Sequence, residues 1–126
     1  MTRYTYSQLG NYPAPFVHVS LSGPRGGTEL TDLPAQLDSG SDRTIVPWKV
    51  VERLGLVPLD EITVGSLNMT LTVLPTFLVL LTIRQQTPIP VEVAAGKNEP
   101  WVLLGRDVLN RYRILLDGPR LALEID

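Results

Sequence analysis

Short apolar runs alternate with turn-forming residues along most of this chain. The runs are rich in Val, Ile, Leu and Thr, and they are separated by Pro and Gly, which occur 11 and 10 times. This pattern predicts β-strands joined by turns rather than a helical bundle. The predicted strands are Phe16–Ser22, Leu33–Leu37, Glu61–Val64, Thr70–Val73, Thr76–Ile83, Ile89–Ala94, Trp101–Leu104, Arg113–Leu116 and Leu121–Ile125. The Gly- and Pro-rich stretch 23–27 predicts a hairpin between the first two strands.

Two segments have a helical pattern. In the first, Pro47 suits the first helical position and Gly55 suits the exit, so a helix is predicted between them. The second, Arg106–Tyr112, is predicted as a short helix after a strand end. The whole pattern predicts a single mostly-β domain over residues 1–126. Residues 1–14 are expected to be either a flexible segment or a contact with a partner chain.

The composition of the chain argues against several classes of function. A net charge of −2 shows no basic excess, which argues against nucleic acid as a partner. The chain has no cysteine, and its single histidine, His18, has no histidine neighbour, so no metal site is predicted. The chain shows neither a secretory signal nor an apolar run long enough to cross a bilayer, so we expect a cytoplasmic protein without membrane contact.

An acidic tripeptide follows a predicted buried strand. Asp38-Ser39-Gly40 comes directly after Leu37, and the chain becomes apolar again at Ile45. As a bare tripeptide, Asp-Ser-Gly is typical of a surface turn. A solvated turn does not need apolar residues on both sides, and a carboxylate at the end of a buried strand is costly unless it is compensated. The flanks therefore favour a functional carboxylate at Asp38.

A second motif lies further along the chain, where an apolar strand ends at a glycine and a helix begins. Its sequence is Leu103-Leu104-Gly105-Arg106-Asp107. Taken alone, it indicates a strand-to-helix corner, with Asp107 placed favourably in the first helical turn.

Together the two motifs resemble those of the retropepsin-like aspartic proteases. Asp38-Ser39-Gly40-Ser41 matches the Asp-Thr/Ser-Gly-Ala/Ser signature of that family, and the second motif matches its two aliphatics followed by Gly-Arg-Asp/Asn. The resemblance covers roughly residues 14–126 and is greatest to single-domain bacterial members. It implies half of a closed β-barrel or sandwich with one or two short helices, completed by homodimerisation.

The resemblance also implies an activity. An aspartic endopeptidase hydrolyses peptide bonds with a water activated by two carboxylates that share one proton. Because this chain has one Asp-Ser-Gly, each subunit of a twofold dimer would supply one Asp38. The expected substrate is a peptide or protein, and no cofactor is expected. The alternative is a non-catalytic dimeric peptide-binding module on the same fold.

The roles of the active-site loop residues follow from the same resemblance. Ser39 would turn its hydroxyl toward the partner and hold the two loops together, and Gly40 would offer its carbonyl to the substrate backbone. Ser41 would hydrogen-bond the catalytic carboxylates and stabilise their ionised form, which predicts an acidic pH optimum. Asp42 would pair with Arg106, so that Arg106 supports the fold or the dimer rather than the chemistry.

The remaining predicted residues surround the substrate. Those expected to bind it are Gly40, Asp42, Ile45, Val46, Trp101 and Leu103, which predicts apolar pockets, one of them narrowed by Trp101. A flap over the bound peptide is expected at Val64, Gly65, Ser66, Leu67 and Asn68. Gly105, Arg106 and Asp107 are expected to be structural.

Overall fold

The computed structural model describes residues 2–84 and 86–126, so Met1 of the predicted segment 1–14 lies outside the described residues. Strands account for 51% of the structure and helices for 9%. The strands are β1 (Thr2–Thr5), β2 (Phe16–Ser22), β3 (Glu29–Leu37), β4 (Ile45–Pro47), β5 (Asp60–Gly65), β6 (Leu71–Ile83), β7 (Ile89–Gly96), β8 (Val102–Leu104), β9 (Ile114–Asp117) and β10 (Ala122–Ile125). The helices are α1 (Trp48–Leu54) and α2 (Arg106–Leu109).

Six strands close into a barrel in the order β2-β3-β8-β4-β7-β6, and β6 pairs back onto β2. Strand β5 pairs with the first half of β6 and extends the sheet as a hairpin. Strands β1, β10 and β9 form a separate antiparallel sheet in that order. The predicted mostly-β class with a closed barrel and two short helices is confirmed.

Strand β2 shows why the apolar pattern predicts the barrel well. Val17, Val19 and Leu21 are almost completely buried in the core, whereas His18 between them is exposed. This alternation places one face of the strand in the barrel, as the period of two requires. The predicted boundaries of this strand match the observed ones, and the predicted hairpin from β2 to β3 is present.

Strand β3 begins at Glu29, earlier than the predicted Leu33. The pairs Val19 with Leu33 and Leu21 with Leu30 leave two β3 residues opposite one β2 residue, which is a β-bulge. At the bulge, Asp32 has a φ of 54°, in the left-handed region. Because the bulge interrupts the alternation of apolar residues, the sequence pattern did not reveal the first part of the strand.

Strand β6 runs without interruption from Leu71 to Ile83, although two strands were predicted on either side of Pro75. Pro75 pairs with Glu61 of β5, and the pairing of β6 with β7 begins only at Thr76. At Pro75 the strand therefore has a partner on one side only, which is where a sheet tolerates a residue without an N–H group.

The chain ends and the helices also differ in detail from the predictions. Residues 2–5 form β1, which pairs with β10 of the same chain. Helix α1 begins after Pro47, which is extended, and ends at Gly55, whose φ is 64°. Helix α2 ends at Leu109 rather than Tyr112. In residues 2–84 and 86–126, no helix is long and apolar enough to cross a membrane.

Candidate active site

Asp38 lies where β3 leaves the barrel. Its N–H donates to the Leu104 carbonyl at 2.9 Å, which continues the parallel pairing of β3 with β8. The chain then turns sharply, because the N–H of Ser41 donates to the Asp38 carbonyl at 3.2 Å. The side chain of Asp38 is half-buried, and the Gly40 N–H donates to its Oδ1 at 3.1 Å. The loop therefore holds one carboxylate in a defined position at the end of a barrel strand.

The apex of this loop is exposed at Ser39 and Gly40. A Cβ atom at Gly40 would lie 3.3 Å from Oδ1 of Asp38, which is a tight contact against a carboxylate. Glycine therefore lets the loop fold closely around this carboxylate. The carbonyl of Ser39 accepts a 2.7 Å hydrogen bond from Nη1 of Arg106.

Arg106 connects the second motif to the Asp38 loop, through contacts that differ from the predicted ones. Besides its guanidinium contact to Ser39, its N–H donates to the Ser41 carbonyl at 2.8 Å. The expected ion pair between Arg106 and Asp42 is not present among the described residues. The side chain of Asp42 is exposed, so water solvates its charge, and the guanidinium binds a backbone carbonyl instead.

Thr44 forms the main link between the motifs, and the sequence analysis did not identify it. Its buried hydroxyl donates to Oδ1 of Asp107 at 2.7 Å, and its N–H donates to Oδ2 at 3.0 Å. The same hydroxyl accepts the N–H of Gly105 at 3.1 Å. A hydroxyl beside the apolar run at Ile45 was the only signal, because a buried polar group needs a partner.

The backbone of Arg43 lies so close to position 105 that only glycine fits there. A Cβ atom at position 105 would lie 2.5, 2.7 and 2.8 Å from the C, O and N atoms of Arg43. No side chain fits there without moving the main chain of the loop. Gly105, Arg106 and Asp107 therefore all contact the loop that follows Asp38.

Ser41 has a different contact from the one implied by the family resemblance. Its hydroxyl donates to the Arg43 carbonyl at 2.7 Å, within the loop itself. The hydroxyl proton is therefore not available to the Asp38 carboxylate. The argument for an acidic optimum that rested on Ser41 loses its structural basis.

The β5–β6 hairpin projects beside the barrel and contains all five predicted flap residues. At its turn the N–H of Ser66 donates to the Thr70 carbonyl at 3.1 Å, and Met69 has a φ of 63°. The side chains of Leu67 and Met69 are almost fully exposed. The hairpin therefore ends in an exposed apolar tip.

Two cavities lie between this hairpin and the barrel. The larger, of about 480 Å³, is lined by residues 64–66 and 72–75, by Ile45 and Trp48, and by residues 95–99; we call it the Glu99 cavity. The smaller, of about 210 Å³, is lined by residues 41–43 and 62–64 and by Ile45; we call it the Asp42 cavity. Because Ile45 and Val64 line both, the two cavities adjoin each other, and Ser41 connects them to the Asp38 loop.

The predicted pocket residues fall into three groups. Ile45 lines both cavities, and Asp42 lines the smaller one. Val46 was wrongly predicted as a pocket residue, because its side chain points to the other face of β4 and is completely buried in the core. Gly40, Trp101 and Leu103 line neither cavity.

Trp101 is held away from these cavities by two contacts. Its ring packs edge-to-face on Phe16, with the ring centroids 5.1 Å apart, and its Nε1 donates to Oε1 of Gln36 at 2.9 Å. The predicted narrowing of a pocket by Trp101 is therefore not seen in either cavity. In the described part of the chain, no group of three or more His, Asp or Glu side chains is placed to hold a metal ion.

Comparison with known proteins gives likenesses of structure rather than of sequence. No family model matches the chain, and no curated protein matches it. The EIAV protease complexed with the inhibitor HBY-793 matches with a TM-score of 0.57 and 22% identity, over 86% of this chain and 93% of that one. A retropepsin-like aspartic protease from Rickettsia conorii matches with a TM-score of 0.64 and 12% identity, over 98% and 87%. The retroviral protease-like domain of Ddi1 from Leishmania major matches with a TM-score of 0.50 and 18% identity, over 89% and 88%.

Proposed function

We propose that this chain, which has a retropepsin-like fold, is an aspartic endopeptidase whose active site contains one Asp38 from each of two copies. The observation that carries the proposal is the placement of Asp38. Its carboxylate is half-buried at the end of a barrel strand, on a loop braced by Arg106 and by the Thr44–Asp107 contact. A surface turn has no need of such bracing.

The chemistry needs two carboxyl groups in different protonation states. The ionised one removes a proton from a bound water, whose oxygen then attacks the scissile carbonyl carbon. The protonated one donates its proton to the carbonyl oxygen, which gives a neutral tetrahedral intermediate. The C–N bond then breaks as the nitrogen takes a proton from the first carboxyl group, and the second recovers its proton as the carbonyl re-forms. Two carboxylates in close contact share one proton readily, because both cannot ionise easily.

A second copy of the chain is the simplest source of the second carboxyl group. A twofold axis beside the exposed loop apex would bring two Asp38 side chains together. The small β1-β10-β9 sheet supports self-association, because its edge strand β9 exposes Leu115 and Leu116. An edge strand with exposed apolar side chains is suited to contact with another chain.

The substrate would lie in the cleft between the barrel and the β5–β6 hairpin. The two adjoining cavities offer space for side chains of an extended peptide, and the hairpin would close over it as a flap. Proteolysis then requires nothing beyond the two loops, a water and the peptide.

The test is cleavage of a peptide library by the wild-type chain and by Asp38→Asn, from about pH 3 to 8, the range in which carboxyl groups titrate. We expect cleavage by the wild type alone. Equal cleavage by both proteins would reject Asp38 as the catalytic group. Peptide binding by a dimer that never cleaves would favour the non-catalytic binding module instead.

A further inference from the structure

The Glu99 cavity combines an apolar wall with one half-buried carboxylate. Its wall includes Ile45, Val64 and Leu74, which provide aliphatic surface. The charged residues that line it are Lys97 and Glu99. Lys97 is exposed, whereas Glu99 is half-buried, so their charges are in different environments.

Gly96 determines where Glu99 lies. A Cβ atom at position 96 would be 2.9 Å from Cγ and 3.6 Å from Oε1 of Glu99, so the side chain of Glu99 is folded down over the glycine. This position places the half-buried carboxylate beside Gly96 in the cavity lining. Glycine at position 96 is what leaves room for this arrangement.

The Glu99 carboxylate has no partner within residues 2–84 and 86–126. It makes neither a hydrogen bond nor an ion pair, and Lys97 lies beyond ion-pair distance. By contrast, Glu92, outside the cavity, pairs with Arg43 at 3.5 Å and accepts the Thr76 hydroxyl at 2.8 Å. A half-buried carboxylate without a partner attracts a cation more strongly than a fully solvated one does.

We propose that the Glu99 cavity selects a Lys or Arg side chain of the substrate. The aliphatic stem of such a side chain would pack along Ile45, Val64 and Leu74, and its charged end would pair with Glu99. This inference rests on the proposed function, since it assigns a substrate class to the same cleft. It also changes the expectation of purely apolar pockets.

The test uses sets of peptides, one set for each position on either side of the cleaved bond. Within a set, the peptides differ only at that position. At that position each peptide carries Lys, its neutral analogue norleucine, or Glu. At one position we expect the wild-type dimer to cleave the Lys peptide with a kcat/KM about tenfold above that of the norleucine peptide. Glu99→Gln should bring this ratio to about one, because it removes the charge and keeps the shape.

Two further variants separate this role from a general effect on the fold. Glu29→Gln removes an exposed carboxylate at the start of β3, a strand that lines neither cavity, and should keep the Lys preference. Gly96→Ala should displace the Glu99 side chain and lower the preference without changing any charge. A Lys preference that survives Glu99→Gln, or its absence at every position in the wild type, overturns the proposal.

A protein that cleaves none of the peptides would reject the proposed proteolysis but would still allow this inference to be tested. The same peptides would then be titrated against Asp38→Asn, and their dissociation constants compared. Binding of the Lys peptide about tenfold tighter than the norleucine peptide, abolished by adding Glu99→Gln, supports the cavity assignment. Equal binding of the two peptides, or no binding of either, overturns it.

Discussion

The Thr44 hydroxyl donates a 2.7 Å hydrogen bond to Oδ1 of Asp107, 63 residues further along the chain. Both backbone and hydroxyl of Thr44 bind this carboxylate, and the hydroxyl also accepts the Gly105 N–H. One fully buried side chain therefore ties the Asp38 loop to the start of α2. Because Asp38 lies on the same loop, this tie should help to hold Asp38 in place.

Replacing Thr44 tests the strength of this tie. Thr44→Val keeps the shape but leaves the Gly105 N–H and one Asp107 oxygen without their partner, which should lower the free energy of unfolding by about 2–3 kcal/mol. Thr44→Ser keeps the hydroxyl and should cost less, about 1 kcal/mol for the lost methyl group. Urea denaturation at one fixed chain concentration measures both. No loss of stability in Thr44→Val would mean that the hydrogen bonds of the hydroxyl contribute nothing.

Gly105 should tolerate no side chain. Gly105→Ala places a Cβ atom within 2.8 Å of three backbone atoms of Arg43, which cannot move independently of the loop. We expect a loss of more than about 3 kcal/mol, or failure to fold. Gly118→Ala is the matched control, because nothing lies within 4 Å of its added Cβ, and it should change stability by less than about 0.5 kcal/mol. Thermal unfolding of the two variants side by side would reveal the difference, and similar melting temperatures would contradict this account.

Particular residues show what the sequence could and could not predict. Strand β2 was predicted with its observed boundaries because, from Val17 to Ser22, its buried residues alternate with more exposed ones. The two motifs were recognisable because each is local. The Thr44–Asp107 contact and the bulge at Asp32 were not predicted, because both depend on which distant segment lies opposite. The run through Pro75 likewise depends on an unpaired strand edge that only the folded sheet defines.

Asp42 and Ser41 show that a resemblance to a family does not predict every contact of a residue. A family pattern identifies which residue types occupy a loop, but the hydrogen bonds depend on local geometry. Here Arg106 binds the Ser39 carbonyl instead of Asp42, and Ser41 binds the Arg43 carbonyl instead of the carboxylate. Two contacts that the resemblance implied for this loop are therefore absent, although the residue types match the motif.

The Ser41 contact leads to a prediction about pH. Because its hydroxyl donates to the Arg43 carbonyl, Ser41→Ala should leave the pH of maximal peptide cleavage unchanged within about 0.3 units, although the loop loses one hydrogen bond. The pH dependence of kcat/KM for a single peptide, measured for both proteins, checks this. A shift of the optimum to higher pH in Ser41→Ala would show that the hydroxyl stabilises the ionised carboxylate in the working enzyme.

Tyr4 should contribute to the loss of stability at alkaline pH. Its hydroxyl is buried without a hydrogen-bond partner among the described residues, and burial raises the pKa of Tyr4 above 10.0, opposed in part by Arg84. The unfolded chain then loses this proton more readily than the folded one. The stability that this difference in pKa contributes is fully present below about pH 10. It is lost as the pH rises through the pKa of Tyr4 in the folded state.

Tyr4→Phe should remove the part of the alkaline loss of stability that arises from Tyr4. At neutral pH it should be neutral or stabilising by up to about 1 kcal/mol, because it deletes a buried hydroxyl that has no partner. Denaturation curves between about pH 7 and 11 measure both effects. Tyr12→Phe, at an exposed tyrosine, is the control and should follow the wild type throughout. A Tyr4→Phe curve that falls with pH as steeply as that of the wild type would count against the burial argument.

The proposal that two chains share one active site makes a quantitative prediction. If each dimer needs Asp38 from both copies, an equal mixture of wild-type and Asp38→Asn chains that exchange freely should form about one quarter wild-type dimers. Its activity per total chain should then be about a quarter of that of the wild type at the same total concentration. The mixture is prepared by unfolding and refolding the two proteins together, and the same procedure with Gly118→Ala in place of Asp38→Asn controls for losses. An activity of one half would mean that each chain acts alone, and the dimeric active site would have to be abandoned.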